Sequence, residues 1–403
     1  MSTFVTKSKK NLRENLTELR TPQGVAGRNI LAAETKAQAF DLTGSGRKNI
    51  VHNGAMTISQ RYQDTAHLIN DWAIMGVDRF RCSVRPSTGT FNAEQNNITG
   101  IHPAGFSKSL LLTQQSVTTE AANDYYNLLT KIEGNDVAHL GLGTEHAKTV
   151  TVSFWVRSSI TGRYAFGMQN EAGGSARQSY VTDYNIDAPN AWEYKTFVIP
   201  LSQTGTWYND NQAGLQLNWN FGRGTAYQTS NLNIWETNVN ALAHTGAVDW
   251  IGNSGATWEL TGVQMEIGEA ATPFEHRSYG EELRLCQRYF TMLAEGANRG
   301  GSSHLIGTMH KWNSTNTFIF TDLPTEMRDG NNQSVVKSTG SSDFSFKAAG
   351  YTVTGNDIVL DGDSSARSIR LNSAVTNSNW PLGCSGWVRI NTSDGFIAIS
   401  NEM

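Results

Sequence analysis

The sequence predicts an all-β protein, in which an antiparallel jelly-roll or β-sandwich domain (49–280) precedes a smaller β domain (281–403). Charged residues make up only 17% of the 403 residues and glycine fills 38 positions, a composition that disfavours long helices. Apolar and polar residues alternate with a period of two in several segments, as in half-buried strands. Turn-forming clusters separate these segments, which is typical of antiparallel folds.

Residues 1–28 differ from the rest of the chain, because they contain six basic residues against two acidic ones. Three leucines follow the spacing of one apolar helix face, and two arginines flank them. These predicted anchor residues are Leu12, Arg13, Leu16, Leu19 and Arg20. A helix this short is marginal alone in water, so we expect it to bind a partner; a solvated tail is the alternative. Residues 29–48 are interpreted as a linker.

Two segments of the jelly-roll region show the strand pattern most clearly. Residues 150–156 alternate Val and Phe with Thr, Ser and Trp, and residues 215–221 alternate Leu, Trp and Phe with Gln and Asn. Successive strand side chains point to opposite faces, so each segment has one apolar and one polar face. Trp219 falls on the apolar face and is predicted to be a core residue. The glycine-rich segments 171–175 and 222–224 are interpreted as turns.

A second helical pattern covers residues 279–294, where Leu283, Cys286 and Phe290 are helically spaced and acidic residues lie near the start. Strand patterns return after it. Short strands are predicted at residues 316–321, 344–346, 351–353, 357–360 and 387–390. The last part of the chain is therefore interpreted as a linking helix followed by a small β domain.

Composition argues against several classes of protein. The net charge of −4 disfavours a broadly basic surface, so no nucleic-acid partner is expected. No run of 18 apolar residues and no signal-peptide pattern occurs, so neither membrane insertion nor secretion is expected. Cys82, Cys286 and Cys384 lack motif spacing and are interpreted as reduced thiols of a protein made in a cytoplasm.

The sequence contains no recognisable catalytic motif, nucleotide-binding loop or paired-histidine metal site. Glycosidases require two carboxylates on either side of a sugar. Three pairs are candidates: Glu259 with Glu266, Glu281 with Glu282, and Asp361 with Asp363. Each is more simply explained as part of a solvated face, a helix start or a turn. We therefore expect no enzymatic activity, no cofactor and no metal.

Aromatic residues suggest binding instead. Seven of the 11 tryptophans lie between residues 155 and 258. Trp155 shares a strand face with polar residues, Trp235 lies opposite its apolar neighbours, and Trp207 and Tyr208 share a polar loop. Exposed rings stack on sugars while nearby amides bond sugar hydroxyls, so these four residues are predicted to bind a glycan. The alternative is that neighbouring segments bury them.

Two blocks of sequence resemble those of tail-fibre and related virion proteins of tailed bacteriophages. The first comprises residues 49–56 (NIVHNGAM), the pair Gln60-Arg61 and residues 77–80 (VDRF). The second, residues 258–290, contains WELTGVQMEIG, ATPFEHRSYGEEL and CQRYF. The blocks bracket more than half of the chain and keep the family's order. His52 and residues 57–59 depart from the family's pattern, residues 62–76 form an insert, and residues 1–48 have no counterpart.

The resemblance implies a carbohydrate-binding-like jelly roll and a small β domain on the exterior of a virion assembled in the host cytoplasm. Combined with the patterns above, it predicts a tail fibre for host adhesion. Residues 1–48 would attach to other virion proteins, residues 49–280 would bind a host-surface glycan, and the C-terminal domain would support a homotrimer. The alternatives are a capsid head fibre or decoration protein, a polysaccharide depolymerase, and a cellular lectin.

Overall fold

The computed structural model describes residues 47–85, 88–172, 177–237, 240–296 and 304–402. Residues 1–46 of the predicted attachment segment, including its anchor residues and its helix, lie outside the described residues. Within them, nearly all regular structure is β-strand, which confirms the predicted fold class. No helix in this part of the chain is long and apolar enough to span a membrane.

The first fifteen strands build a jelly-roll sandwich. They are β1 (His67–Ile69), β2 (Trp72–Val77), β3 (Phe80–Arg85), β4 (Thr90–Asn96), β5 (Ser109–Ser116), β6 (Tyr125–Glu133), β7 (Thr149–Ser158), β8 (Gly162–Gln169), β9 (Gln178–Ile186), β10 (Glu193–Pro200), β11 (Ala213–Arg223), β12 (Gln228–Thr229), β13 (Trp235–Thr237), β14 (Ala243–His244) and β15 (Thr257–Ile267). A short helix, α1 (Gly134–Val137), follows β6.

Two antiparallel sheets face each other in this sandwich. Sheet A has the strand order β1-β4-β5-β15-β7-β10, and sheet B has the order β13-β9-β8-β11-β6-β3-β2. The strands β12 and β14 form a separate parallel pair. The predicted insert therefore contains β1 and most of β2, and β11 continues through part of the predicted turn at 222–224. At residues 222 and 223, pairing with a neighbouring strand outweighs the local turn signal.

Buried aromatic rings join the two sheets. Phe154 of sheet A packs against Phe166 and Trp219 of sheet B, with ring centroids 5.8 and 5.5 Å apart. Phe221 of sheet B meets Trp258 of sheet A at 4.8 Å in an edge-on arrangement. Such tilted and edge-on contacts are the favoured geometries of aromatic pairs. Trp219 is fully buried, which confirms its predicted place in the core.

The second helical pattern is shorter than predicted. Helix α2 (Tyr279–Gln287) is capped by Ser278, whose side chain accepts a hydrogen bond from the backbone N–H of Glu281 at 3.3 Å. Residues predicted to continue it instead form strand β16 (Phe290–Glu295). This strand pairs with a strand at the end of the chain. A partner more than 100 residues away decides the conformation there, which local spacing does not reveal.

The C-terminal unit contains β16 and nine further strands. These are β17 (Leu305–Lys311), β18 (Thr317–Asp322), β19 (Ser334–Lys337), β20 (Phe344–Ala348), β21 (Tyr351–Gly355), β22 (Val359–Leu360), β23 (Ser368–Ser373), β24 (Ser385–Ile390) and β25 (Phe396–Ser400). They form a sheet of order β16-β25-β19 and a sheet of order β21-β20-β24-β17-β18-β23-β22. The five strands predicted here are all present, with ends within two residues of the prediction.

The two sequence blocks that resemble tail-fibre proteins lie against each other. Ile50 N donates to Met265 O, and Val263 N donates to Gly54 O, both at 2.9 Å. A Cβ atom at residue 54 would collide with the carbonyl oxygen of Val263, so glycine is required there. We call this contact between residues 49–56 and 258–282 the clasp. It attaches the segment that precedes β1 to β15, the strand of sheet A that comes last in the sequence.

The clasp continues into helix α2. The carboxylate of Glu275 accepts bonds from the backbone N–H groups of Lys48 and Asn49 at 2.7 and 2.6 Å. Arg277 donates to Val51 O at 3.2 Å and contacts Glu282 of α2 at 3.4 Å. Charge-assisted bonds of this kind are stronger than neutral ones. The blocks therefore contribute to architecture, since they fix the end of the sandwich and the start of α2.

Buried ion pairs fix the C-terminal unit to the sandwich. Arg79 Nη1 lies 2.7 Å from Glu402 Oε2, and its guanidinium lies 3.4 Å from the ring centroid of Tyr289. Glu133, at the end of β6, accepts bonds from Arg288 Nη2 at 2.7 Å and from the Tyr289 hydroxyl at 2.9 Å. The two domains therefore share a partly buried polar interface.

We expect the free energy of unfolding to fall as the pH is lowered from 7 to 5, because of His52 in this interface. Burial, together with the positive charge of the nearby Arg79, lowers the pKa of His52 from 6.5 to about 3. The native state thus keeps His52 neutral, whereas the unfolded chain protonates it below pH 6.5. Above pH 6.5 this histidine leaves the free energy of unfolding nearly unchanged. Below pH 6.5 it lowers the free energy of unfolding by about 1.4 kcal/mol per pH unit, which amounts to roughly 2 kcal/mol at pH 5.

Urea denaturation at the two pH values measures this loss. The variant His52→Gln cannot take up the proton and should lose much less stability over the same range. An equally steep loss in the variant would contradict the assignment to His52.

Candidate functional site

The outer face of sheet B carries a cavity of about 230 Å³. Side chains alternate along each strand, so those that do not enter the core form its floor. We call this surface the groove. It is lined by Trp72, Arg81, Ser83, Tyr125, Asn127, Leu129, Lys131, Gln169, Glu171, Arg177, Gln216, Arg223, Tyr227, Asn240 and Leu242.

Strand register arranges the floor in rows across the sheet. Gln169 of β8, Gln216 of β11 and Lys131 of β6 are successive cross-strand partners. A parallel row runs from Asn127 of β6 to Ser83 of β3. Directly opposite residues in an antiparallel pair share a face and lie close together. Two rows of amide, hydroxyl and ammonium groups therefore cross the floor.

Aromatic side chains stand at both sides of the groove. Trp72 pairs with Ser83 across β2 and β3, and its side chain is 61% exposed. On the other side, Tyr125 and Tyr227 are half-buried and meet at a right angle with centroids 5.5 Å apart. The segment after Tyr227 completes this wall, because Leu242 N donates to Tyr227 O at 3.1 Å. Rings of this kind offer flat apolar surfaces beside a polar floor.

Several buried polar atoms of this face have no hydrogen-bond partner among the described residues. They are Asn127 Oδ1, Gln169 Oε1, Asn218 Nδ2 and Arg223 Nε. Other atoms of the same groups are held in place: Gln169 Nε2 donates to Ser179 Oγ at 2.7 Å and to Asn240 Oδ1 at 3.1 Å. Buried polar atoms in folded proteins normally find a partner. An oriented set of donors and acceptors on one face can bind a ligand rich in hydroxyl groups.

Two cations lie at opposite ends of the floor, the buried Arg223 and the half-buried Lys131. Arg223 is 4% exposed, and burial lowers its pKa to about 9. Burial also lowers the pKa of Lys131, to about 8, although the neighbouring carboxylate of Glu171 acts in the opposite direction. Lys131 Nζ and Glu171 Oε1 are 3.4 Å apart. The groove can therefore bind charged as well as neutral polar groups.

The structure places the four predicted glycan-binding residues outside the groove. Trp155 is half-buried on the outer face of sheet A, with its ring 5.2 Å from that of Tyr194, beside an apolar cavity. Trp207 and Trp235 lie together, with ring centroids 5.5 Å apart and nearly perpendicular. Tyr208 is half-buried next to Trp207. These residues therefore form no single site, and whether they bind a glycan stays a prediction.

Trp235 faces the opposite way from the prediction. It pairs with Tyr180, a core residue, and packs against the same core, whereas its neighbour Ile234 is 52% exposed. The indole N–H donates to Pro200 O at 2.8 Å. The strand β13 is only three residues long and lies at the edge of sheet B. The two apolar neighbours Leu232 and Ile234 are too short a pattern to show which face of such a strand points into the core.

The candidate carboxylate pairs are engaged in structural contacts. Glu259 accepts a bond from Ser109 Oγ at 2.9 Å and pairs with Arg157. Glu266 accepts a bond from Thr272 N at 2.8 Å. In the remaining pairs, Glu281 contacts Arg47, Glu282 contacts Arg277, and both Asp361 and Asp363 contact Arg370. None of them lines the groove.

Sequence reasoning missed the groove, although part of its signal is present. Gln216, Asn218 and Asn220 alternate with the core residues of β11, so their shared face was predictable. The sequence does not predict that Trp72, Arg81 and Tyr125 meet on that face, because their meeting depends on the strand order β11-β6-β3-β2. In the described part of the chain, no three His, Cys, Asp or Glu side chains are arranged to hold a metal ion.

Comparisons with known proteins add the following. No protein-family profile matches the sequence, and no curated protein matches it with statistical significance. One similar solved structure is the enzymatically active domain of tailspike protein 4 of bacteriophage CBA120 (TM-score 0.27, 13% identity). That match covers 55% of this chain and only 21% of the tailspike chain.

Carbohydrate-binding modules are also similar. One is a family 11 module from Clostridium thermocellum in complex with a β-1,3-1,4-mixed-linked tetrasaccharide (TM-score 0.27, 10% identity, 52% of this chain and 98% of that chain). Another is the CBM22-2 xylan-binding domain of Xyn10C from Paenibacillus barcinonensis (TM-score 0.26, 14% identity, 47% of this chain and 92% of that chain). At these TM-scores, the similarities assign neither a ligand nor a role to this chain.

The substitution Arg223→Met should leave the protein as stable as the native chain or stabilise it by about 1–3 kcal/mol, because it removes a buried charge that pairs with no acidic side chain in the described part of the chain. The matched control is Arg79→Met, which removes a buried arginine that pairs with Glu402. It should destabilise the protein by about 3 kcal/mol. Urea denaturation of both variants measures their free energies of unfolding. A similar decrease in both would show that Arg223 stabilises the fold.

Proposed function

We propose that this chain is a glycan-binding structural protein of a bacteriophage virion, and that the groove is its binding site. One observation carries the binding proposal: exposed and half-buried rings flank a floor of oriented amides, several of whose atoms have no partner among the described residues. A pyranose stacks its apolar face on a ring and directs its hydroxyls to amides. The groove offers both kinds of contact within one sheet face.

The proposed activity is binding without cleavage. Among the described residues that line the groove, Glu171 is the one carboxylate, and it contacts both Lys131 and Arg177. Hydrolysis of a glycosidic bond by the usual route requires two carboxylates flanking it. The composition of the groove therefore favours an adhesin over a polysaccharide depolymerase.

The virion role rests on the resemblance of the two blocks that form the clasp. We place the protein on the exterior of the particle as a tail fibre, attached through residues 1–48 and assembled as a homotrimer in the host cytoplasm. In this arrangement the groove presents the glycan site to the host surface. A capsid location is the alternative, and labelling of particles distinguishes the two.

Deletion of residues 1–28 should abolish incorporation into particles while leaving the β domains folded, because these residues carry the predicted apolar stripe. Immunoblotting of purified particles measures incorporation, and immunogold labelling with antibody against residues 49–403 locates the protein. Unchanged incorporation of the truncated chain would overturn the anchor, and gold over the head would replace the tail-fibre role by a capsid one.

The double substitution Trp72→Ala with Tyr125→Ala should weaken polysaccharide binding at least tenfold, because stacking on both sides of the groove is lost. Affinity electrophoresis in native gels that contain xylan, mixed-linked β-glucan, alginate or polygalacturonate measures the retardation. The control is Trp312→Ala, which removes a tryptophan that is 63% exposed in the C-terminal unit. If the native chain, the double variant and the Trp312→Ala control are retarded equally, the binding site lies outside the groove.

A further inference from the structure

The groove has a charge opposite to that of the whole chain. Four cations line it, namely Arg81, Lys131, Arg177 and Arg223, against the single described carboxylate of Glu171. The chain as a whole has a net charge of −4. Positive residues concentrated in a cleft raise the local concentration of anions. The excess of cations therefore favours an anionic ligand over a neutral one.

Arg223 is the most unusual of these cations. It is 4% exposed, and it forms no ion pair with any described residue. Its guanidinium lies 5.5 Å from the ring of Tyr125 and 5.8 Å from the ring of Tyr227, and Nη2 donates to Asn218 Oδ1 at 3.3 Å. Nε has no partner. A buried charge is costly unless it is paired, so this group is poised to receive an anion.

The other end of the floor has a related arrangement. Glu171 lies between two cations, at 3.4 Å from Lys131 Nζ and 3.7 Å from Arg177 Nη2. One carboxylate therefore serves two cations, and both contacts are longer than a good charge-assisted hydrogen bond. A second anion here would complete the coordination of the pair. Cationic side chains with few acidic partners among the described residues thus lie at both ends of the same floor.

The titration of these groups is consistent with an anionic ligand. Burial lowers the pKa of Arg223 to about 9 and that of Lys131 to about 8, so the protein alone disfavours both positive charges. An anion brought within a few ångströms would favour the charged forms and raise both pKa values again. Tyr125 and Tyr227 face Arg223, and Arg81, Glu171 and Arg177 face Lys131.

We propose that the groove selects acidic glycans whose sugars carry carboxylates, with Arg223 as the principal carboxylate-binding residue and Lys131 as the second. A planar guanidinium matches a planar carboxylate through two parallel hydrogen bonds. The flanking tyrosine rings would stack on the sugar that carries the acid. This inference rests on the proposed glycan-binding function and adds the chemical class of the ligand.

The test compares acidic polysaccharides with their own neutral forms. The probes are polygalacturonate, alginate and hyaluronan, each beside a carboxyl-reduced preparation with the same backbone and linkage. Binding by the full chain is measured by affinity electrophoresis and by calorimetry. We expect at least one acidic polymer to bind at least tenfold more tightly than its reduced form, with the difference shrinking at high salt.

Variants assign the effect to the groove. Arg223→Gln should weaken binding of the acidic polymer at least tenfold and reduce the preference for the acidic over the reduced polymer, and Lys131→Gln should act in the same direction. The control Arg389→Gln removes an exposed arginine of the C-terminal unit, 5.0 Å from the ring of Trp387. It should leave both affinities unchanged. Thermal unfolding of each variant establishes that it is folded.

The outcomes separate this inference from the proposed function. Equal binding of acidic and reduced polymers overturns acid selection and leaves glycan binding intact. Failure of all the polymers to bind counts against both. Equally tight binding of dextran sulfate or duplex DNA overturns the inference in favour of general anion binding. If Arg389→Gln loses as much affinity for the acidic polymer as Arg223→Gln does, the anion-binding site is not in the groove.

Discussion

The register of β11 is the constraint on which both the fold and the groove depend. All eleven residues of this strand are buried. Leu215, Leu217, Trp219 and Phe221 enter the core, whereas Gln216, Asn218 and Asn220 face the groove side of sheet B. A slip of one residue would exchange the two sets, putting amides into the core and Trp219 into the groove. Correct packing of the core therefore also sets the positions of the amides.

The clasp explains what the tail-fibre-like blocks contribute. Asn49 Nδ2 and Val263 O, which belong to different blocks, are bonded at 3.0 Å, and Arg277 connects the same region to α2. None of the residues that line the groove belongs to either block. The blocks therefore specify how the sandwich is closed and joined to the next domain.

The two faces of sheet B affect stability in opposite directions. Its inner face gains from the aromatic contacts of Trp219 with Phe154 and Phe166. Its outer face contains a buried arginine without an ion pair and several amide atoms without partners among the described residues. Such groups cost stability unless a ligand or water satisfies them. The aromatic core, the clasp and the interface at Arg79 and Glu133 supply interactions that offset this cost.

The sequence by itself determined the all-β class, the strand faces at residues 150–156 and 215–221, the core position of Trp219 and the five C-terminal strands, because period-two alternation is a local property. It did not determine the end of α2, which is decided by β25, nor the inward face of Trp235. Only the tertiary structure brought Trp72, Tyr125 and Arg223 to one groove. Their strands become neighbours through hydrogen bonds between distant segments, and no local pattern records the order of strands in a sheet.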